Sequence, residues 1–180
     1  ADGNDQYVEP TGRYAHYLDD PYVEPTPRAP LTDEVEFAFI GGGFAGLTTG
    51  AAMKKAGIDD VRIIEKGGDF GGTWYWNRYP GAMCDTAAMV CLPLLEETGH
   101  MPSQKYVHAP EILDHCRRIG QHFDLYDNAV LSTEVTSLDW DGTSKRWVIR
   151  TNRGDVMRAK FVAMGTGPLH RPKLPGIPGI

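Results

Sequence analysis

Two features of the 180-residue chain could do chemistry together: the run Gly41-Gly42-Gly43-Phe44-Ala45-Gly46, and the carboxylate of Glu65 beyond it. The run satisfies G-x-G-x-x-G. Gly41 permits a tight turn, Gly43 has no Cβ to hold a pyrophosphate off the backbone, and Gly46 lets a helix pack closely on a strand. A helix beginning here would offer free N–H groups and the positive end of its dipole to phosphates. Glu65, at the end of the following strand, can accept hydrogen bonds from a ribose diol and disfavours a 2'-phosphate. The ligand is then FAD or NAD, not NADP.

These residues need a scaffold, and the flanking sequence supplies one. Val35 to Ile40 is a short apolar run ending in glycines, as a buried parallel strand should be. A helix is expected from about Ala45 to Ala56, ended by Gly57, and a second strand over Val61 to Ile64. Strand, turn, helix and strand make one right-handed βαβ unit. Pro110 to Phe123 carries Pro in its first turn and apolar residues at helical spacing, and predicts an amphipathic helix on the sheet. Residues 130–140, 146–151 and 155–164 are strand-like and separated by Asp141-Gly142 and Asn152-Arg153-Gly154 turns. The last of these runs should rejoin the parallel sheet. The expected fold class is α/β: a Rossmann-like domain with a parallel sheet and a small antiparallel β-meander over 33–167. An extended N-terminal arm over 1–32 precedes it, and a Pro/Gly-rich linker over 168–180 follows.

The arm contains Tyr-Val-Glu-Pro-Thr twice, at 7–11 and 22–26, which is too few copies for a repeat architecture. If its tyrosines are anchors, the arm packs on a neighbouring surface. A net charge of -6 and a pI near 5.5 argue against a nucleic-acid or anionic-membrane partner. No basic start precedes an apolar run, and no stretch approaches the ~20 apolar residues needed to span a bilayer, so a cytoplasmic location is expected. Cys84, Cys91 and Cys116 form no Cys-x-x-Cys pair, which offers neither a redox dithiol nor a zinc site. They read as buried thiols, and no metal is expected.

The segment after Glu65 makes the reading specific. Glu65-Lys66, a spacer, Gly71-Gly72-Thr73-Trp74, then Tyr75-Trp76-Asn77-Arg78-Tyr79-Pro80-Gly81-Ala82-Met83-Cys84-Asp85, resembles the sequence that follows the FAD fingerprint in type I Baeyer-Villiger monooxygenases. The resemblance runs from about Val35 to Ile180. Within the family, Cys84 to Val90 and Leu92 to Gly99 look like the branch acting on bulky cyclic, terpenoid or polycyclic ketones.

The resemblance implies that the bound cofactor is FAD. Its contacts would fall on Gly41, Gly43, Ala45 and Gly46, on Glu65 at the adenosine ribose, on Thr73, Trp74, Tyr75 and Trp76 along the flavin, and on Lys66 and Gly72 between them in sequence. Val135 matches a residue whose backbone meets the adenine. Asp85 matches an aspartate near flavin and nicotinamide that orients a catalytic arginine, so Met83, Cys84 and Asp85 would edge an NADPH site. Cys91 stands where the family usually carries Tyr, which puts any phenol-dependent contact there in doubt. The implied reaction inserts one oxygen atom of O2 into a ketone, giving an ester or lactone at the expense of NADPH. The arginine, the second nucleotide-binding fold and the family's Phe-x-Gly-x-x-x-His motif are absent, so the expected partner is the remainder of the same enzyme. Two alternatives stand beside this reading: the FAD domain of an N- or S-oxygenating flavin monooxygenase, and a non-catalytic FAD-binding module. A disulfide reductase is disfavoured by the missing Cys pair.

Overall fold

Apolar runs alternating with glycine turns build one six-stranded sheet. The computed structural model describes residues 7–177; residues 1–6 of the arm and 178–180 of the tail lie outside the described residues. The long elements are strand β2 (Thr32–Ile40), helix α1 (Phe44–Lys55), strand β3 (Val61–Ile64), helix α5 (Ala109–His122) and strands β5 (Val135–Asp141), β6 (Arg146–Thr151) and β7 (Val156–Met164). Between them lie single helical turns α2 (Thr73–Trp76), α3 (Ala88–Cys91) and α4 (Leu95–Thr98), and a two-residue strand β4 (Ala129–Val130).

The sheet order is β4-β3-β2-β7-β6-β5. β2 pairs in parallel with β3 and with β7, β3 pairs in parallel with β4, and β5-β6-β7 is an antiparallel meander. The expected parallel sheet and meander are both present, fused through β7. Residues 131–134, expected as strand, are not in one; Ser132 has a positive φ of 49° and breaks the run after β4.

Ile63 and Ile64 of β3 point to opposite faces, as adjacent strand residues must, and each enters a separate core. Ile63 joins Leu47 of α1, Phe70, Cys116 and Ile119 of α5, and Leu125. Ile64 joins Val35, Ala38, Ile149, Met157 and Ala159. α5 buries Ile112, Leu113, Cys116 and Ile119, the stripe read from its spacing, and carries Pro110 in its first turn. A third cluster, Cys84, Ala88, Leu92, Val107 and Ile112, lies under the loops of α3 and α4. Phe161 and Met164 of β7 are exposed rather than buried.

The arm is not uniformly extended. Tyr7–Val8 forms strand β1, paired antiparallel with β8 (Leu174–Pro175) of the tail, and Gly12–Leu18 is a 3-10 helix. Arg28 ties the arm to the sheet through Asp155, which is buried: its Nη1 and Nη2 donate to the two carboxylate oxygens at 2.6 and 2.7 Å. Asp155 also accepts from the Leu31 N–H and the Thr151 hydroxyl. These donors, the Arg28 side chain first, hold its carboxyl well below the usual carboxylate range. No helix among the described residues is long and apolar enough to cross a membrane.

Candidate cofactor cleft

A cleft of about 530 Å³ opens at the carboxyl ends of β2, β3 and β7. Ligands bind α/β sheets at this edge because strand ends and helix N-termini converge there. Its floor is the fingerprint turn. Gly41 has φ of +116°, and a Cβ there would stand 2.4 Å from the Gly165 carbonyl oxygen. A Cβ at Gly46 would stand 2.1 Å from the Gly41 carbonyl oxygen, so α1 reaches β2 only because Gly46 has none. Gly43 caps α1 with no side chain bonded to the helix end, leaving the first N–H groups of α1 for a ligand. Its other neighbour is main chain: Gly43 and Gly72 face each other so closely that a Cβ on Gly72 would lie 2.7 Å from the Gly43 Cα. The fingerprint thus meets the Gly-Gly-Thr-Trp segment glycine against glycine.

Glu65 is 6% exposed. Its carboxylate accepts the Gly42 N–H at 2.5 Å on Oε2 and the Gly67 N–H at 2.6 Å on Oε1. Burial pushes its pKa up against the pull of those two donors. Each oxygen keeps a lone pair, so the side chain is fixed and can still receive a diol.

Ten of the sixteen residues expected to bind line this cleft: Gly41, Gly43, Ala45, Glu65, Lys66, Gly72, Thr73, Trp74, Trp76 and Val135. Gly46 lies beneath the floor. Tyr75 is corrected: α2 is helical, so consecutive side chains fan apart around the turn. Trp74 and Trp76 line the cleft, while Tyr75 is fully buried. Its hydroxyl donates to Asp20 at 2.6 Å. Burial first, then that bond, pushes its pKa well above the ordinary phenol value.

Met83, Cys84, Asp85 and Cys91 do not line the cleft. Met83 and Asp85 are exposed, whereas Cys84 turns inward. Cys84 and Cys91 stand behind the wall, in the cluster against which Trp74 and Phe44 pack. Their sulfurs are 2.9 Å apart, a proximity the sequence spacing did not suggest; both are free thiols. Burial, then Cys84, pushes the Cys91 thiol up to about 12. No group of three or more His, Cys, Asp or Glu among the described residues could hold a metal.

The cleft also has walls that sequence reasoning did not assign. Thr133 and Glu134 stand beside Val135, with Glu134 3.4 Å from Lys66. Gly165, Thr166 and Gly167, the last residues of the expected domain, line it together with Leu169, His170 and Arg171 of the expected linker. Only the glycines at 165 and 167 could have signalled this.

Sheet order, fingerprint turn, fixed carboxylate and facing glycines together define a Rossmann-type dinucleotide-binding domain. The chain belongs to the family described as pyridine nucleotide-disulphide oxidoreductase, which it matches over residues 38–180. It is 53% identical to a neopentalenolactone D synthase of Streptomyces avermitilis, over 99% of this chain and 30% of that protein. It is 49% identical to a Baeyer-Villiger monooxygenase of Streptomyces coelicolor, again over 99% of this chain and 30% of the relative. Among solved structures it resembles a polycyclic ketone monooxygenase from Thermothelomyces thermophila, with a TM-score of 0.86 and 32% identity over 97% of this chain and 31% of that one. The Baeyer-Villiger resemblance, expected over about Val35 to Ile180, therefore extends into the arm as well. The chain spans about 30% of the length of these relatives.

Proposed function

We propose that the cleft binds FAD and that the chain is the FAD-binding part of a Baeyer-Villiger monooxygenase. The observation that carries this is the joining of the fingerprint turn, the fixed Glu65 carboxylate and the Trp74/Trp76 wall in one cleft. The α1 N-terminus would receive the pyrophosphate and Glu65 the adenosine ribose. Val135 would lie along the adenine, and Thr73, Trp74 and Trp76 would lie along the isoalloxazine. Bound there, FAD would supply the redox and oxygen chemistry.

The residues of this chain bind, orient and exclude water. Gly43 and Gly72 give the cofactor a backbone surface without side-chain obstruction. Trp74, packed against the Cys84 cluster, lines the cleft with apolar surface that would keep solvent from a bound flavin. Asp85, exposed at the loop after Met83, would orient an arginine supplied by the rest of the enzyme and, with exposed Met83, would edge the NADPH site, while Cys84 and Cys91 back that edge from the buried cluster. NADPH as reductant and O2 as oxidant follow from the resemblance; a bulky or cyclic ketone as substrate follows from the resemblance and is supported by the name of the polycyclic ketone monooxygenase.

The test is made on the full-length protein that carries this chain. A flavin absorption band, with NADPH consumption stimulated by a cyclic ketone and a product one oxygen atom heavier, is the expected result. Ketone-independent NADPH oxidation with oxygen transferred to an amine or sulfide would transfer the reading to an N- or S-oxygenase. A flavin band without NADPH oxidation would leave a binding module.

A further inference from the structure

The strand, turn and helix of the fingerprint explain the floor of the cleft but not what holds its walls at their spacing. The Gly67–Trp76 wall is a loop ending in a single helical turn, and the opposite wall, Thr133 to Val135, is the first residue of β5 and the break before it. Main-chain bonds fix their inner ends, Gly71 N–H to the Gly42 carbonyl and Thr133 N–H to the Glu65 carbonyl, but neither wall is regular structure over its whole length. The N-terminal arm touches both.

On the first wall the contacts converge on Asp20. Its Oδ2 accepts the Gly68 N–H at 2.9 Å and the Tyr75 hydroxyl at 2.6 Å. Its Oδ1 accepts the Tyr22 and Val23 N–H groups, which fixes the carboxylate in the arm's own turn. Tyr22 then donates its hydroxyl to the Trp76 carbonyl at 3.2 Å and meets the Tyr75 ring edge-on. The Arg78 guanidinium lies over the Tyr22 ring, 3.8 Å from its centroid, while its Nε donates to the Tyr75 carbonyl. Val23 covers Gly68 so closely that a Cβ there would lie 2.3 Å from the Val23 Cβ. Tyr75 is therefore gripped on one side by the arm, while its neighbours Trp74 and Trp76 face the cleft.

On the second wall, Arg28 donates to the Thr133 hydroxyl at 3.2 Å while bound to Asp155. One stretch of arm, residues 20–28, thus reaches Trp76 on one side and Thr133 on the other. Both residues line the cleft.

We propose that this stretch is a brace that sets the width of the cofactor cleft, with Asp20 as the positioning residue for the Gly72–Trp76 wall and Arg28 as that for Thr133. The proposal rests on the cleft being the FAD site. Asp20 does not line the cleft; it acts by holding Tyr75 and Gly68, and through them the indoles on either side of Tyr75.

The experiment compares the full-length protein with D20A, Y75F and the double variant. FAD dissociation constants, the spectrum of the bound flavin and backbone amide exchange without ligand are measured for each. D20A removes both bonds to the wall and is expected to raise the FAD dissociation constant about tenfold, equivalent to about 1.4 kcal/mol. The visible band of the bound flavin should shift, and protection should fall at Gly68 to Trp76. Y75F removes one hydroxyl and should produce part of the same effect. The double variant should fall short of the product of the two, because both changes delete the same hydrogen bond. Unchanged affinity, spectrum and exchange in D20A, with only a lower melting temperature, would overturn the brace. If D20A fails to fold, Y75F decides alone: wild-type affinity and exchange in that variant refute the proposal. A wild-type protein that takes up no FAD would refute the cofactor reading, and the brace would then stand or fall on the exchange at Gly68 to Trp76.

Discussion

Alanine at Gly43 and alanine at Gly46 add the same methyl group three positions apart, and the structure gives them opposite consequences. At Gly46 the Cβ would stand 2.1 Å from the Gly41 carbonyl oxygen, main chain against main chain, and α1 would have to lift off β2. Overpacking costs about 1–3 kcal/mol, and an overlap that no side-chain rotation relieves belongs at the top of that range. Helix propensity returns about 1 kcal/mol on exchanging Gly for Ala, which leaves a net loss of roughly 2 kcal/mol, or about 4–8 °C in melting temperature. At Gly43 the Cβ would meet the Gly72 Cα at 3.3 Å, and φ is -80°, which alanine adopts freely. A shift of a few tenths of an ångström absorbs that contact, so the loss of stability should stay below about 1 kcal/mol. The methyl would instead obstruct the pyrophosphate. The same overpacking cost, now borne by binding, weakens FAD by roughly 5- to 150-fold. Thermal unfolding by circular dichroism without cofactor, with FAD titrations on both variants, separates the two. G43A melting below G46A, or binding FAD like wild type, would refute the reasoning.

Other consequences are equally open to measurement. The Asp155 pKa is held below its unfolded value, so its stabilisation is complete above the unfolded carboxylate pKa of about 3.9 and is lost as pH falls towards the folded value. D155N should therefore lower stability at neutral pH by about 2–4 kcal/mol, since Arg28 is left without its buried partner, and should flatten the fall of stability below pH 5; an unchanged acid limb contradicts this. E65Q places an amide N–H₂ against the Gly42 or Gly67 N–H, and leaving one buried donor unpaired costs about 1–3 kcal/mol in urea titrations. The Glu65 pKa is raised, so the part of stability linked to its protonation is present below the unfolded value and lost as pH rises through the folded one. E65Q should abolish that dependence. Cys116 is fully buried with its thiol pushed up by burial, and Cys91 is pushed up to about 12. Neither should react quickly with a maleimide at pH 7, whereas all three thiols should react after denaturation; fast labelling of Cys116 in the native protein would refute its placement.

The parts of the site legible in the sequence are those whose physics is local. Gly41, Gly43 and Gly46 act within one turn, Glu65 closes the adjoining strand, and α5 shows its buried stripe through spacing alone. Val135 and Trp74 were reached through resemblance, because no local pattern marks a residue that meets the cleft from another strand. A contiguous motif puts Tyr75 on the ligand side with its neighbours, but a helical turn separates residues that a linear motif groups together. Thr133 and Glu134 follow a break in the chain and carry no signal of their own. The arm was readable as anchored only through its tyrosines. Its decisive residue, Asp20, acts on Gly68 and Tyr75 across about fifty positions of sequence, a distance over which only tertiary packing decides.

The central claim, that this cleft holds a flavin through its adenosine and pyrophosphate as well as its ring, is tested most directly by titrating cofactor-free protein with FAD and with FMN and following flavin fluorescence. FMN lacks the second phosphate, the ribose and the adenine that the fingerprint turn, Glu65 and Val135 are placed to receive. Hydrogen bonds to charged groups contribute about 1.5–3 kcal/mol each, so FAD should bind at least about 100-fold more tightly than FMN. Equal affinities for the two would contradict the account, because the α1 N-terminus and Glu65 would then have no part in binding.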